Sequence, residues 1–152
     1  MVANRKKRIV IVDDNASYLS VVRVLLKPFY DVYPAPSASK LFDIIKKFIP
    51  DLILLDVSMP EINGFEAIGI LRENPGHKDI PVIFLTANDD EDGAAQGLEL
   101  GAADYVTKPI YGPLLLKRIS NILLVEQLKR DLHASNVTIN TLSEKLEQAE
   151  TV

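Results

Sequence analysis

Short runs of apolar residues alternate with longer segments in which apolar residues recur at helical spacing. The short runs predict five β-strands, at residues 9–12, 32–33, 52–55, 81–85 and 104–106. The longer segments predict helices at residues 16–26, 37–48, 65–72, 90–100 and from 113 onward. This alternation is typical of an α/β protein in which helices cover both faces of a parallel sheet.

The first and third predicted strands are almost wholly aliphatic, which indicates that both of their faces are buried. Because crossovers between parallel strands are right-handed, five such units predict a flavodoxin-like doubly wound sheet with strand order 2-1-3-4-5. Helix ends are marked by Ser37 as an N-cap, Pro113 in a first turn and Gly101 in a left-handed position. Ligands of this fold bind beyond the carboxyl ends of the strands, so a functional site is expected there.

Composition narrows the class of protein. The chain of 152 residues is long enough for one domain with a modest appendage, and 47% apolar with 25% charged residues is ordinary for a globular protein. It has no cysteine, which excludes disulfides and thiolate chemistry. A formal charge of -4 gives no general attraction for nucleic acid. Without a long apolar span or a signal-like start, we expect a cytoplasmic protein that binds neither DNA nor membranes.

Polar residues end four of the five predicted strands. Asp13 and Asp14 follow the first, Asp56 the third, Thr86 the fourth and Lys108 the fifth. Each alone is ordinary, because an Asp-Asp-Asn run is a common turn and helix cap and a threonine commonly ends a strand. Since parallel strands share one carboxyl edge, however, the topology predicts that all five side chains converge.

Three converging carboxylates repel one another unless a cation compensates them. Magnesium prefers oxygen ligands, so Asp13, Asp14 and Asp56, with a backbone carbonyl near Ser58, predict a Mg²⁺ site, with Mn²⁺ as an alternative. A carboxylate is also a competent nucleophile toward phosphorus, and Asp56 is central in this set. The metal would neutralise a transferring phosphoryl group, while Lys108 and the hydroxyl of Thr86 contact its other oxygens.

These segments resemble the receiver domain of two-component response regulators, of the chemotaxis-regulator type, over about residues 8–124. The resemblance is carried by IVIVDDN at 9–15, DLILLDVSMP at 51–60 with Gly64 following, PVIFLTA at 81–87 and GAADYVTKP at 101–109. It implies a signalling switch rather than an enzyme, with only self-catalysed, Mg²⁺-dependent phosphorylation and dephosphorylation. Asp56 would accept a phosphoryl group from a sensor histidine kinase or a phosphotransfer protein.

The resemblance also implies individual roles. Asp13, Asp14 and Asp56 would form the metal site with the main-chain carbonyl of Ser58. Lys108 would bind the phosphoryl group, and the peptide bond that follows it would be cis. Thr86 and Tyr105 would form the switch pair: the Thr86 hydroxyl turns toward the phosphoryl group, and Tyr105 turns inward from solvent. The switch would relay phosphorylation to an output module or a partner.

Beyond residue 124 the apolar pattern becomes a heptad. One seam position is filled by Val125, Leu132, Ile139 and Leu146, and the other by Leu128, Ser135, Leu142 and Ala149. This pattern predicts a receiver at residues 1–124 and a helical extension at 125–152 that forms a parallel coiled-coil homodimer through residues 125–149. Ser135 in the seam and β-branched residues nearby leave a solvated tail as the alternative. The chain would be a fragment of a larger regulator or a regulator that works by contact.

Two other functions share parts of this pattern. A haloacid-dehalogenase-like phosphatase also uses an aspartyl phosphate and magnesium, but its nucleophile follows the first strand with a second Asp two residues later. Here that position is Asn15, and Asp56 lies on the third strand. A flavodoxin-like cofactor binder needs a Ser-, Thr- or Gly-rich phosphate loop, whereas this loop is acidic. A P-loop nucleotidase is disfavoured because no Gly-rich loop with Lys-Ser/Thr is present.

Overall fold

A computed structural model describes residues 5–87 and 91–150, in which strands and helices alternate. The strands are β1 (Arg8–Val12), β2 (Asp31–Ala35), β3 (Leu52–Asp56), β4 (Val82–Thr86) and β5 (Asp104–Thr107). The helices are α1 (Ala16–Leu26), α2 (Ala38–Lys47), α3 (Gly64–Glu73), α4 (Glu91–Glu99) and α5 (Gly112–Glu150). Every predicted element is present, with ends moved by one or two residues at most. The predicted first residue of α4, Asp90, lies outside the described residues.

The five strands form one parallel sheet in the order β2-β1-β3-β4-β5, which confirms the predicted doubly wound, flavodoxin-like topology. In the register, Val12 at the end of β1 pairs with Leu55, and Asp56 pairs with Leu85. The carboxyl ends of β1, β3 and β4 are therefore level with one another. This alignment places the residues that end these strands side by side.

The core lies on both faces of the three central strands. All five residues of β3 and of β4 are buried, and for β3 this confirms the burial predicted from its largely aliphatic sequence. Phe84 is the largest of the fully buried side chains, and its ring meets that of Phe65 edge to face with centroids 5.4 Å apart. On the α4 side, a Cβ atom at Gly97 would lie 2.6 Å from the Phe84 ring, so only glycine lets this helix pack so close to β4.

Local signals set the helix ends. The Ser37 side chain accepts a hydrogen bond from the Lys40 N–H at 3.1 Å, which confirms it as the N-cap of α2. Asn63 caps α3 in a capping box with Glu66. Gly101 follows α4 with φ of +102°, the left-handed conformation predicted for it.

The chain divides into two compact units, one up to Ile119 and one from Ser120 onward. In the first unit, Leu115 and Ile119 at the start of α5 are fully buried. In the second unit the chain is helical to Glu150. The boundary predicted at residue 124 and the coiled coil stay predictions.

The large apolar side chains of the predicted seam are exposed in the single chain, each by 44% to 65%. They are Val125, Leu128, Leu132, Ile139, Leu142 and Leu146. Throughout the part of the chain that the structure describes, no helix combines the length and the hydrophobicity needed to span a bilayer.

Candidate functional site

The carboxyl edge of the sheet holds a cluster of three carboxylates. Asp13 and Asp14 directly follow β1, and Asp56 is the last residue of β3. One carboxylate oxygen from each lies within 4.8 Å of the others. Asp13 and Asp56 are buried, whereas Asp14 is exposed. The strand order thus brings together the three acidic residues that the sequence predicted as metal ligands.

The Asp-Asp-Asn run serves as a turn and helix cap as well as a source of carboxylates. The Asp13 carboxylate accepts a hydrogen bond from the Asn15 N–H at 2.9 Å. Asn15 is the N-cap of α1, and its side chain accepts from the Tyr18 N–H at 3.1 Å. These bonds fix the loop after β1, so the run has the ordinary structural role of a turn and helix cap, and its chemical role stays a prediction.

Lys108 reaches into the carboxylate cluster from the loop after β5. Its Nζ lies 2.9 Å from Asp13 Oδ2 and 3.3 Å from Asp56 Oδ1. Its backbone N–H donates to the Thr86 carbonyl at 2.7 Å, and the peptide bond to Pro109 is cis, as expected. One ammonium thus bridges two of the three carboxylates.

The aromatic ring of Tyr18 also contacts this ammonium, with Lys108 Nζ 4.3 Å from the ring centroid. The Tyr18 hydroxyl is buried and has no hydrogen-bond partner within the described residues. Burial, together with the negative charges of Asp13 and Asp56, raises the pKa of Tyr18 above its usual value. The phenol is therefore neutral at physiological pH.

Burial and neighbouring charge shift the ionisation of the cluster. Burial first, and then the charge of Asp13, raises the pKa of Asp56 to about 6, although Lys108 and the Ser58 N–H oppose the shift. Burial lowers the pKa of Lys108, but its hydrogen bond to Asp13 and the charge of Asp56 outweigh that effect and raise it overall. Lys108 is therefore a stable cation, and Asp56 is a carboxylate whose ionisation is costly without further positive charge.

The loop after β3 folds back on the strand end. The Ser58 N–H donates to Asp56 Oδ1 at 3.3 Å, and the Gly64 N–H donates to the Val57 carbonyl at 2.9 Å. A Cβ atom at Gly64 would lie 2.5 Å from the Asp56 carbonyl oxygen, so the start of α3 can approach β3 this closely only as glycine. This loop orients the Asp56 carboxylate, while the Ser58 carbonyl stays a predicted metal ligand.

The two predicted switch residues lie on neighbouring strands. Thr86 is buried at the end of β4, and its hydroxyl donates to the Ala87 carbonyl at 3.2 Å rather than to a site carboxylate. Tyr105 lies on β5 with 37% of its surface exposed. Their role as a switch pair stays a prediction.

The family model described as the response regulator receiver domain matches residues 9–120, most of the chain. This chain belongs to the receiver-domain family. Membership favours the receiver over the haloacid-dehalogenase-like and flavodoxin-like alternatives. Receiver domains take phosphoryl groups from histidine kinases or phosphotransfer proteins and generally use Mg²⁺ in their acidic pocket.

Several known proteins contain a similar receiver. A Vibrio cholerae protein named "Probable cyclic di-GMP phosphodiesterase" is 37% identical over 133 residues, which cover 88% of this chain but 30% of that protein. The phosphate regulon regulator PhoB of Pseudomonas aeruginosa is 39% identical over 77% of this chain and 52% of PhoB. This chain therefore spans about a third to a half of the length of these relatives.

Solved structures agree with the fold. The chemotaxis protein CheY4 of Vibrio cholerae superposes with a TM-score of 0.73 at 27% identity, covering 78% of this chain and 99% of CheY4. The receiver here thus has the CheY-like arrangement.

Tyr18 was not among the site residues predicted from the sequence. It lies four residues after Asp14, in the first turn of the helix that leaves the site. A helix that begins at the carboxyl edge places its first turn beside that edge, which is the signal that could have drawn attention to an aromatic residue there.

Proposed function

We propose that this receiver is a phosphorylation-activated switch of a two-component system, in which Asp56 accepts a phosphoryl group from a sensor histidine kinase or a phosphotransfer protein. The observation that supports this most strongly is the Lys108 ammonium, 3.3 Å from Asp56 Oδ1 and 2.9 Å from Asp13 Oδ2. A nucleophilic carboxylate, an acidic cluster and a fixed cation are the parts that phosphoryl transfer to a carboxylate requires.

The donor set fits a hard divalent cation. Three ionised carboxylates beside one ammonium leave two negative charges, which one divalent ion would neutralise. Asp13, Asp14 and Asp56 would hold Mg²⁺, or Mn²⁺ through the same oxygens, with the Ser58 carbonyl as a further ligand. Such an ion supplies charge neutralisation for the transferring phosphoryl group.

The residues of the chain then have distinct tasks. An Asp56 oxygen attacks phosphorus as the bond from phosphorus to the donor's imidazole nitrogen breaks, which requires the carboxyl group in its ionised form. Lys108 already contacts Asp56, so its ammonium can pair with an oxygen of the incoming group. Burial of Asp13 and Asp56 limits the access of water.

Thr86 and Tyr105 would report the phosphorylated state. A phosphoryl group adds about 1.5 to 2 negative charges and new acceptor oxygens beside β4. The Thr86 hydroxyl would leave the Ala87 carbonyl to donate to one of them, and Tyr105 would turn from solvent into the vacated space. The altered surface would engage an output module or a partner.

The extension at residues 125–152 would join two copies. We propose a homodimer through residues 125–149, supported by the exposed apolar seam in that segment. We propose cytoplasmic signalling, with no direct contact of this chain with nucleic acid or membrane.

Incubation with Mg²⁺ and acetyl phosphate, followed by intact-mass measurement, tests the proposed function. The wild-type chain should gain one phosphoryl group, and Asp56→Asn should gain none. Asp51→Asn is the matched control, because Asp51 precedes β3 at the opposite edge, where it accepts from the Arg8 N–H at 2.8 Å. This control should be phosphorylated normally. Steady turnover of a phosphomonoester would instead indicate the haloacid-dehalogenase-like enzyme.

A further inference from the structure

Tyr18 contacts the ammonium that bridges the carboxylate cluster, and it does so without using its polar atom. Its ring centroid lies 4.3 Å from Lys108 Nζ, a distance at which an aromatic face attracts an ammonium. We propose that Tyr18 is a positioning residue for phosphoryl transfer, whose ring keeps the Lys108 ammonium in the site when the carboxylates around it are engaged. The proposal rests on the proposed function of Asp56 and adds a residue to its machinery.

The need for such a residue follows from the two ion pairs of Lys108. Both of its partners, Asp13 and Asp56, are also candidate metal ligands. A divalent cation would draw on the same two carboxylates, and it would repel the ammonium. Phosphorylation of Asp56 then consumes one of its oxygens. The contact with the Tyr18 ring depends on neither a carboxylate oxygen nor the metal, so neither event removes the partner of the ammonium.

Because the Tyr18 hydroxyl makes no hydrogen bond within the described residues, the effect of the ring can be tested separately. This hydroxyl is also buried. Removing it in Tyr18→Phe therefore breaks no bond in this state and keeps the ring. Tyr18→Leu removes the ring and keeps an apolar side chain at the position. The two variants differ mainly in the aromatic face offered to Lys108.

A packing role alone would act regardless of Lys108. The distinguishing background is Lys108→Met, which removes the ammonium and keeps a long unbranched side chain. If the ring works through Lys108, replacing Tyr18 costs nothing further in that background. If Tyr18 only fills space, its replacement has the same effect in both backgrounds, as expected for independent sites.

The experiment measures the rate of phosphorylation by acetyl phosphate at saturating Mg²⁺. It compares wild type, Tyr18→Phe, Tyr18→Leu, Lys108→Met, and each Tyr18 change combined with Lys108→Met. The rate of phosphorylation should fall about tenfold in Tyr18→Leu, whereas Tyr18→Phe should retain most of the wild-type rate. Both double variants should react at the rate of Lys108→Met alone. Equal rates for all Tyr18 variants, or equal losses in both backgrounds, would overturn the proposal.

A spectroscopic readout tests the contact without any phosphodonor. The Lys108 ε-methylene protons should show an upfield ring-current shift in wild type and Tyr18→Phe, and this shift should vanish in Tyr18→Leu. An unshifted wild-type signal overturns the proposal even if Asp56 is phosphorylated normally. If the wild-type chain shows the shift but takes up no phosphoryl group, the proposed function fails and the positioning role fails with it.

Discussion

At the level of individual residues, the site is an unbalanced set of charges. Burial, and then the charge of Asp13, raises the pKa of Asp56 to about 6, and the ammonium of Lys108 offsets this shift only in part. The excess of negative charge that makes the ionised form of Asp56 costly also attracts a divalent cation, and other positive groups that can bind a phosphoryl group, to the cluster. The cost of ionising Asp56 should therefore be measurable in the free energy of unfolding.

We expect a pH-dependent difference in the free energy of unfolding between wild type and Asp56→Asn. The pKa of Asp56 is raised from 3.8 to about 6 on folding, so between these values the folded chain keeps a proton that the unfolded chain has released. The group therefore stabilises the fold fully below about pH 4, and this contribution is lost as the pH rises through about 6. Asn cannot ionise. As the pH rises from about 4 to 7, the free energy of unfolding of Asp56→Asn should therefore increase by roughly 1–3 kcal/mol relative to wild type.

Urea unfolding of both proteins in metal-free buffer measures this difference. Adding Mg²⁺ should then narrow the gap at neutral pH, because a ligand of the ionised cluster stabilises wild type by mass action. A gap that stays constant with pH would show that ionisation of Asp56 does not destabilise the fold.

At the level of helices and strands, close backbone approach holds the sheet edge in place. Gly97 lets α4 pack on the Phe84 ring of β4, the strand that ends in Thr86. Gly64 lets α3 start against the backbone that carries Asp56. Neither glycine has φ in the left-handed region, so the absence of a side chain, and not backbone freedom, is what these positions require.

Gly97→Ala should lower the free energy of unfolding by about 1–3 kcal/mol, because its Cβ would lie 2.6 Å from a ring that is itself fully buried. Gly69→Ala is the matched control. It lies inside α3, and a Cβ there would meet nothing within 4 Å, so this change should raise stability by roughly 0.5–1 kcal/mol. Urea denaturation of the two variants checks both signs. Equal effects would mean that α4 does not pack on Phe84 as described.

The sequence predicted the helices and strands well where an element buries one face or both faces in the core. The aliphatic runs of β1 and β3 could be read directly. The carboxylates that follow β1 and end β3 lie together because these strands are neighbours in the sheet. The edge strand β2 was recognised at only two of its five positions, because it is partly exposed and contains Pro34. Tyr18 and Gly97 were missed for a physical reason: a contact between a helix and a strand depends on helix rotation and approach, which a linear pattern does not specify.

At the level of the whole molecule, the exposed seam is an extended apolar feature of the second unit. Its six large side chains are each 44% to 65% exposed. Burying them against a second copy would remove this surface from water, which is the main driving force of a coiled coil. The hydroxyls of Thr138 and Thr141 bond back to carbonyls one turn earlier, at 3.0 and 2.9 Å, so polar residues in the middle of the helix also have local partners.

Ile139→Ser should weaken the dimer, because it removes one buried side chain from each copy, and we expect the dissociation constant to rise at least about thirtyfold. Val137→Ser is the matched control. Val137 is also β-branched and 49% exposed, but it lies outside the seam. Sedimentation equilibrium of both variants, and of a chain that ends at residue 124, measures the change. An unchanged oligomeric state after truncation would show that residues 125–149 take no part in assembly.

Locating the phosphoryl group on the chain tests the role of Asp56 directly. After reaction with acetyl phosphate, borohydride reduces an aspartyl phosphate to homoserine, and fragment masses then identify the modified position. We expect homoserine at position 56, formed when Mg²⁺ is present and lost when the metal is chelated. Homoserine at position 13 or 14 instead, or modification at position 56 that is equally fast without a divalent cation, would contradict the proposed switch.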